Sequence, residues 1–237
     1  MRDFTKLKEL SDYHKLDSPV LVPELPGTSL PKVPRLYILR MLIRPKYGDW
    51  FIPKELKFLK RIIYALSDYD KDLGIEDSWC YVTVRHGPIE SETDDSFHFD
   101  GSSFRTDLIP ERNYIYTNHS PTEYKVGQLS FPSDFDPLKH NLFTFAERQL
   151  ANEVTRAVGS NEWYLLSPFV LHRRPPKSFF MPRAPKLIPA RTFYRICFTD
   201  IEARDINNTP NPLLPTDAYG RDPVRTFRDR LASYFNL

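Results

Sequence analysis

SFHFDGSSF, residues 96–104, sets a histidine and an aspartate two positions apart inside a run that is otherwise aromatic and strand-like. On a β-strand the side chains alternate between faces. His98 and Asp100 therefore point one way, and Phe97 and Phe99 the other. Two ligand-type groups side by side on one sheet face form either a hydrogen-bonded pair or two thirds of a metal site.

The chain around this stretch reads mostly as strands. Period-two patterns or short apolar runs bounded by Gly, Pro, Asn and Ser predict strands over 79–87, 96–101, 112–118, 123–131, 162–174 and 191–203, and a buried one over 35–43. The clearest helix is PKELKFLKRIIYALSDY, 53–69. Pro53 sits at a tolerated first-turn position, and Leu56, Leu59, Ile62, Ile63 and Leu66 share a face. Helical composition also marks 142–158 from about Ala146, and a short helix is expected over 220–235. Residues 1–34 read as an extended, proline-interrupted segment, and 35–237 as a single domain. The expected architecture is a mainly β barrel or sandwich flanked by helices.

Composition narrows the partners. The 237 residues are long enough to bury a sizeable core. A formal charge of +2 carries no general nucleic-acid signature, so any basic preference is local. The two cysteines, Cys80 and Cys197, lie far apart with no metal-binding spacing, which argues against thiolate ligation and a disulfide scaffold. The N-terminus MRDFTKLKEL lacks an apolar signal-peptide core, and no apolar stretch reaches membrane-spanning length. A soluble, cytoplasmic protein without membrane contact is expected.

Two further stretches bear on the histidine–aspartate pair. YLLSPFVLHRRPP places His172 at the end of an apolar strand, where it is available as a third ligand. Two imidazoles and one carboxylate suit a divalent first-row metal and leave other coordination positions open. In RTFYRICF, Arg191, Phe193 and Arg195 share one face of an apolar strand. A guanidinium turned into a barrel needs an anion, and its planar fork matches a carboxylate.

In this order, HFDG, then LHRRPP, then RTFYRICF, the sequence resembles the Fe(II)/2-oxoglutarate-dependent oxygenases over about residues 79–203. The resemblance implies a double-stranded β-helix, a jelly-roll barrel with helices packed outside. It implies that His98, Asp100 and His172 bind Fe(II), and that 2-oxoglutarate and O₂ are co-substrates, with release of succinate and CO₂. It assigns the clamp on the distal 2-oxoglutarate carboxylate to Arg191 or Arg195 and leaves the choice open. The interval between His172 and Arg191 is longer than the family usually shows.

On the strand RNYIYTN, Tyr114 and Tyr116 share a face and are candidate second donors to the co-substrate. Arg195 and Arg174 are candidates for holding an anionic substrate. The basic, proline-rich loop 173–190, with Phe179, Phe180 and Met181, reads as a lid or as a solvated flap. The expected reaction is oxidation of a C–H bond of a small molecule, an amino acid or natural-product intermediate, and the lid reading of that loop gives it an anionic group. The alternatives are a nucleobase-modifying oxygenase of the same family and a cupin-like binding or isomerising barrel.

Overall fold

The structure is a computed structural model. It describes residues 17–73, 78–88, 96–100, 111–130, 132, 142–167, 170–175, 190–200, 202 and 208–214. The strands are β1 (Val20–Leu21), β2 (Leu36–Arg44), β3 (Trp79–Gly87), β4 (Glu111–Thr117), β5 (Glu123–Lys125), β6 (Thr155–Ala157), β7 (Trp163–Leu166), β8 (Leu171–Arg173) and β9 (Arg191–Thr199). The helices are α1 (Lys60–Asp72), entered through a 3₁₀ segment at Lys54–Leu59, and α2 (Leu142–Gln149). None of the described helices is long and apolar enough to cross a membrane.

Two antiparallel sheets form among the described residues. The larger runs β1-β7-β4-β9-β3-β2 and the smaller β6-β5-β8. His98 adds itself to the small sheet through an isolated bridge with His172 of β8. From β3 to β9, with the His98 stretch taken second, eight strand segments follow one another. The large sheet then reads first, eighth, third, sixth, and the small sheet second, seventh, fourth, fifth. That interleaving of successive segments between two facing sheets is the jelly-roll, or double-stranded β-helix.

Strand parity sorts the large sheet into two chemistries. The β3–β9 and β4–β9 registers put Tyr194, Ile196 and Phe198 beside Val84, Val82 and Cys80 on one side and Tyr116, Tyr114 and Arg112 on the other. This face carries Tyr114, Tyr116, Tyr194, Ile196 and Phe198 into the main core against Leu56, Leu59, Ile62, Ile63 and Leu66. The opposite face, with Arg191, Phe193 and Arg195, turns toward the small sheet. Each aliphatic side chain so buried contributes roughly 1.5–3 kcal/mol, so one covering helix is enough to fix which face is outside.

Several elements differ from the pattern-based expectation. The expected helix is entered through the 3₁₀ segment, which buries Leu56 and Leu59. The run 162–174 divides into β7 and β8, in different sheets. The intervening sequence holds Pro168, which has no N–H to give a ladder. The stretch 142–158 ends its helix at Gln149 and then supplies β6. The expected 220–235 helix lies outside the described residues. Both cysteines are buried and free.

Candidate metal and anion site

Phe97 and Phe99 leave the barrel and pack with Leu129, Ala146, Leu150 and Leu171 beneath α2. Alternation then obliges His98 and Asp100 to face inward. His98 and His172 exchange both backbone hydrogen bonds, His98 N–H to the His172 carbonyl at 2.9 Å and His172 N–H to the His98 carbonyl at 3.0 Å. Their rings lie 4.6 Å apart between centroids.

Each imidazole has one nitrogen committed to a backbone carbonyl. His98 Nδ1 lies 3.0 Å from the Ser96 oxygen and His172 Nδ1 2.8 Å from the Val170 oxygen. Only an N–H faces a carbonyl favourably, so each Nδ1 carries a proton and Nε2 is the ring nitrogen left to face an ion. Asp100 Oδ2 lies 3.4 Å from His172 Nε2. One ligand atom from each of the three side chains falls within 4.8 Å of the other two. Metal–ligand bonds of about 2.1 Å put neighbouring donors roughly 3 Å apart, so small side-chain rotations close this set on an ion.

The protonation states suit ligation. Burial, followed by the neighbouring His172, lowers the His98 pKa and keeps its ring neutral near pH 7. Burial acts to raise Asp100, but the Arg195 guanidinium and then His172 outweigh it and hold the carboxyl well below the usual range. Arg195 Nη1 donates to Asp100 Oδ1 at 2.6 Å, which leaves Oδ2 for the ion. Burial opposes the charge on Arg195, and Asp100 more than offsets it. The Nε of Arg195 is buried without a hydrogen-bond partner.

The triad opens on a cavity of about 180 Å³ between the sheets. Arg85 and Thr83 of β3, Arg191, Phe193 and Arg195 of β9, and Arg173 and Arg174 at the end of β8 line it. Arg173 pairs with Glu123 at 2.7 Å. Arg191 is 8% exposed. Its Nε donates to the Ser120 carbonyl at 3.0 Å and its guanidinium lies 5.3 Å from the Phe193 ring centroid. No carboxylate among the described residues pairs with it. Burial, then Arg174 and Arg85, pull its pKa down to about 9. A cation so placed favours any anion that reaches it.

The structure brings His98, Asp100, His172, Arg191, Arg195 and Arg174 around one cavity. It does not bring Tyr114 or Tyr116 there, and that expectation is corrected. Tyr114 stands opposite Ile196 and Tyr116 opposite Tyr194, so both belong to the helix-covered face. Tyr114 donates to Asp70 of α1 at 2.9 Å and Tyr116 to Asn161 at 3.0 Å. Asp70 also receives Arg112 through two bonds of 2.9 and 3.0 Å. Tyr114→Phe is therefore expected to cost about 1–2 kcal/mol of stability in chemical denaturation while leaving metal and 2-oxoglutarate binding unchanged.

Sequence reasoning missed Thr83 and Arg85. Their signal was the alternation in VTVRHG, which sets two polar side chains on one face between valines. Of the loop 173–190, residues 176–189, including Phe179, Phe180 and Met181, lie outside the described residues.

Neither a family model nor a curated protein matches the chain. Among solved structures it is similar to AviO1 from Streptomyces viridochromogenes Tue57, at 14% identity over 82% of this chain and 76% of that one, with a TM-score of 0.41. It is also similar to EvdO2 from Micromonospora carbonacea var. aurantiaca complexed with 2-oxoglutarate, at 12% identity, 70% and 74% coverage and a TM-score of 0.38. A second EvdO2 structure gives 13% identity, 89% and 86% coverage and the same TM-score of 0.38. Likenesses this distant carry nothing about chemistry, which rests on the side chains of this chain.

Proposed function

We propose that the protein is a non-haem Fe(II)- and 2-oxoglutarate-dependent oxygenase that oxidises a C–H bond of a small molecule. One observation carries the reading. Two imidazoles with Nδ1 fixed and one carboxylate converge on a cavity that also holds a buried guanidinium without an acidic partner among the described residues. Thiolates are absent from the set, and nitrogen and oxygen donors of this kind suit Fe(II). When bound, the iron supplies the O₂ chemistry that oxidises substrate and converts 2-oxoglutarate to succinate and CO₂.

The chain's own residues do the rest. His98, His172 and Asp100 Oδ2 hold the ion on one side and leave the cavity side open. Arg195 orients Asp100 by engaging Oδ1. Because Arg195 is already committed to that carboxylate, Arg191 is the better clamp for the distal carboxylate of 2-oxoglutarate. Phe193, between the two arginines, contributes an apolar wall that limits water.

The experiment is direct. Purified protein given Fe(II), ascorbate and 2-oxoglutarate is expected to release succinate even without its prime substrate, and Asp100→Ala to release none. Protein that binds 2-oxoglutarate in the absence of any divalent metal, with no succinate formed, fits a cupin-like binding barrel and sinks the oxygenase reading. Zinc that iron does not displace sinks it as well.

A further inference from the structure

Where β4 turns away from β9, side chains take over the pairing. The β4–β9 register ends with Thr117 opposite Phe193, and the Asn118 N–H still reaches the Thr192 carbonyl at 3.2 Å. There Asn118 Oδ1 accepts from the Thr192 N–H at 2.7 Å and from the His119 N–H at 2.9 Å, while Asn118 Nδ2 donates to the Ala190 carbonyl at 3.2 Å. His119 Nε2 lies 2.9 Å from the same Ala190 carbonyl, so this nitrogen carries a proton and donates it. The other ring nitrogen, Nδ1, lies 2.8 Å from Ser120 Oγ.

These bonds enclose one side chain. Ala190 and Thr192 flank Arg191, and Arg191 Nε donates to the Ser120 carbonyl at 3.0 Å. Ser120 takes the left-handed conformation, φ 54°, which a non-glycine residue adopts only at a cost, and the carbonyl of that same residue meets the guanidinium. Among the described residues no other hydrogen bond reaches the guanidinium, so both Nη atoms are left to a ligand in the cavity that Arg191 lines. The bracket contains carbonyls, an amide, a hydroxyl and an imidazole, and no carboxylate. It therefore fixes the arginine without consuming its fork. A long side chain that is ordered before its ligand arrives loses less rotamer freedom on binding.

We propose that His119 is a positioning residue for Arg191. By tying the Ala190 carbonyl to the Ser120 hydroxyl, it holds the Ser120 carbonyl on Nε and pre-orients both Nη atoms for the distal carboxylate of 2-oxoglutarate. The inference rests on the oxygenase reading for the identity of that ligand. It is separable from the metal, because His98 and His172 pair with each other in the small sheet and none of these bonds touches them or Asp100.

The test uses the full chain loaded with Mn(II). Calorimetric titrations add 2-oxoglutarate and, separately, pyruvate, which carries the same 2-oxo acid group and lacks the distal carboxylate. His119→Phe keeps a ring and removes both nitrogens. It is expected to weaken 2-oxoglutarate binding by at least about tenfold while Mn(II) and pyruvate affinities stay within about threefold of wild type. His119→Gln, whose amide N–H can donate to the Ala190 carbonyl, is expected to recover most of the loss. Added to Arg191→Met, His119→Phe is expected to cost less than about threefold more, because the group it positions is already gone. If His119→Phe does not fold, Ser120→Ala serves the same comparison, since it removes the hydroxyl from His119 and keeps the carbonyl on Arg191. Equal losses for 2-oxoglutarate and pyruvate, unchanged 2-oxoglutarate affinity, or a loss that His119→Gln does not recover overturn the inference and leave the oxygenase reading standing. Wild-type protein that binds no 2-oxoglutarate overturns that reading, and the inference with it.

Discussion

His172→Ala is expected to abolish stoichiometric divalent-metal binding and, with it, succinate formation. Loss of a group that merely orients a ligand typically costs 10–100-fold in metal affinity, so loss of a direct donor should cost more than about 100-fold. The fold should survive. Alanine keeps the N–H and carbonyl that pair with His98, and the removed ring donates to a nearby carbonyl rather than holding a distant element. Mn(II) titration followed by electron paramagnetic resonance, beside a thermal melt of the metal-free protein, separates the two effects. Near-native Mn(II) affinity in the variant would remove residue 172 from the coordination set and leave His98–Asp100 as an ordinary internal pair.

Arg191→Met should show the opposite signs for binding and stability. A charge-assisted hydrogen bond contributes about 1.5–3 kcal/mol, so 2-oxoglutarate affinity should fall roughly 10- to 150-fold. The metal-free, ligand-free protein should nevertheless be as stable as wild type or more so. A cation whose folded pKa lies below its unfolded value binds its proton less tightly in the native state, which penalises the fold at every pH below the folded value. With that value near 9, the penalty is fully present at neutral pH and is relieved only as pH rises beyond it. Methionine keeps much of the apolar stem and removes the penalty. Unchanged 2-oxoglutarate affinity in this variant would transfer the clamp to Arg195.

The inward turn of His98 and Asp100 was legible from four letters, because alternation on a strand is local geometry and two phenylalanines needed a core. The common face of Arg191, Phe193 and Arg195 was legible for the same reason. Tyr114 and Tyr116 show where local geometry stops. Period two says that they share a face, but which face depends on Tyr114 lying opposite Ile196 rather than opposite Arg195, a register set by tertiary pairing. Arg85 went unread for a related reason. Nothing within VTVRHG says that its strand becomes the neighbour of β9. The division of 162–174 into β7 and β8 follows the same logic, since an apolar run does not record that its halves belong to different sheets.

Among the described residues the His98 stretch joins its sheet through a single reciprocal pair of backbone bonds. It is a margin of the small sheet, and two of the three candidate ligand residues lie on it. An ion bridging His98 and Asp100 to His172 is therefore a clasp as well as a reagent, tying that margin to a strand much later in the chain. At a concentration one hundred times its dissociation constant it would contribute about 2.7 kcal/mol to folding. The His98 and His172 amides should then exchange with solvent most slowly in the loaded protein, and chelation should loosen this edge while the helix-covered core stays closed.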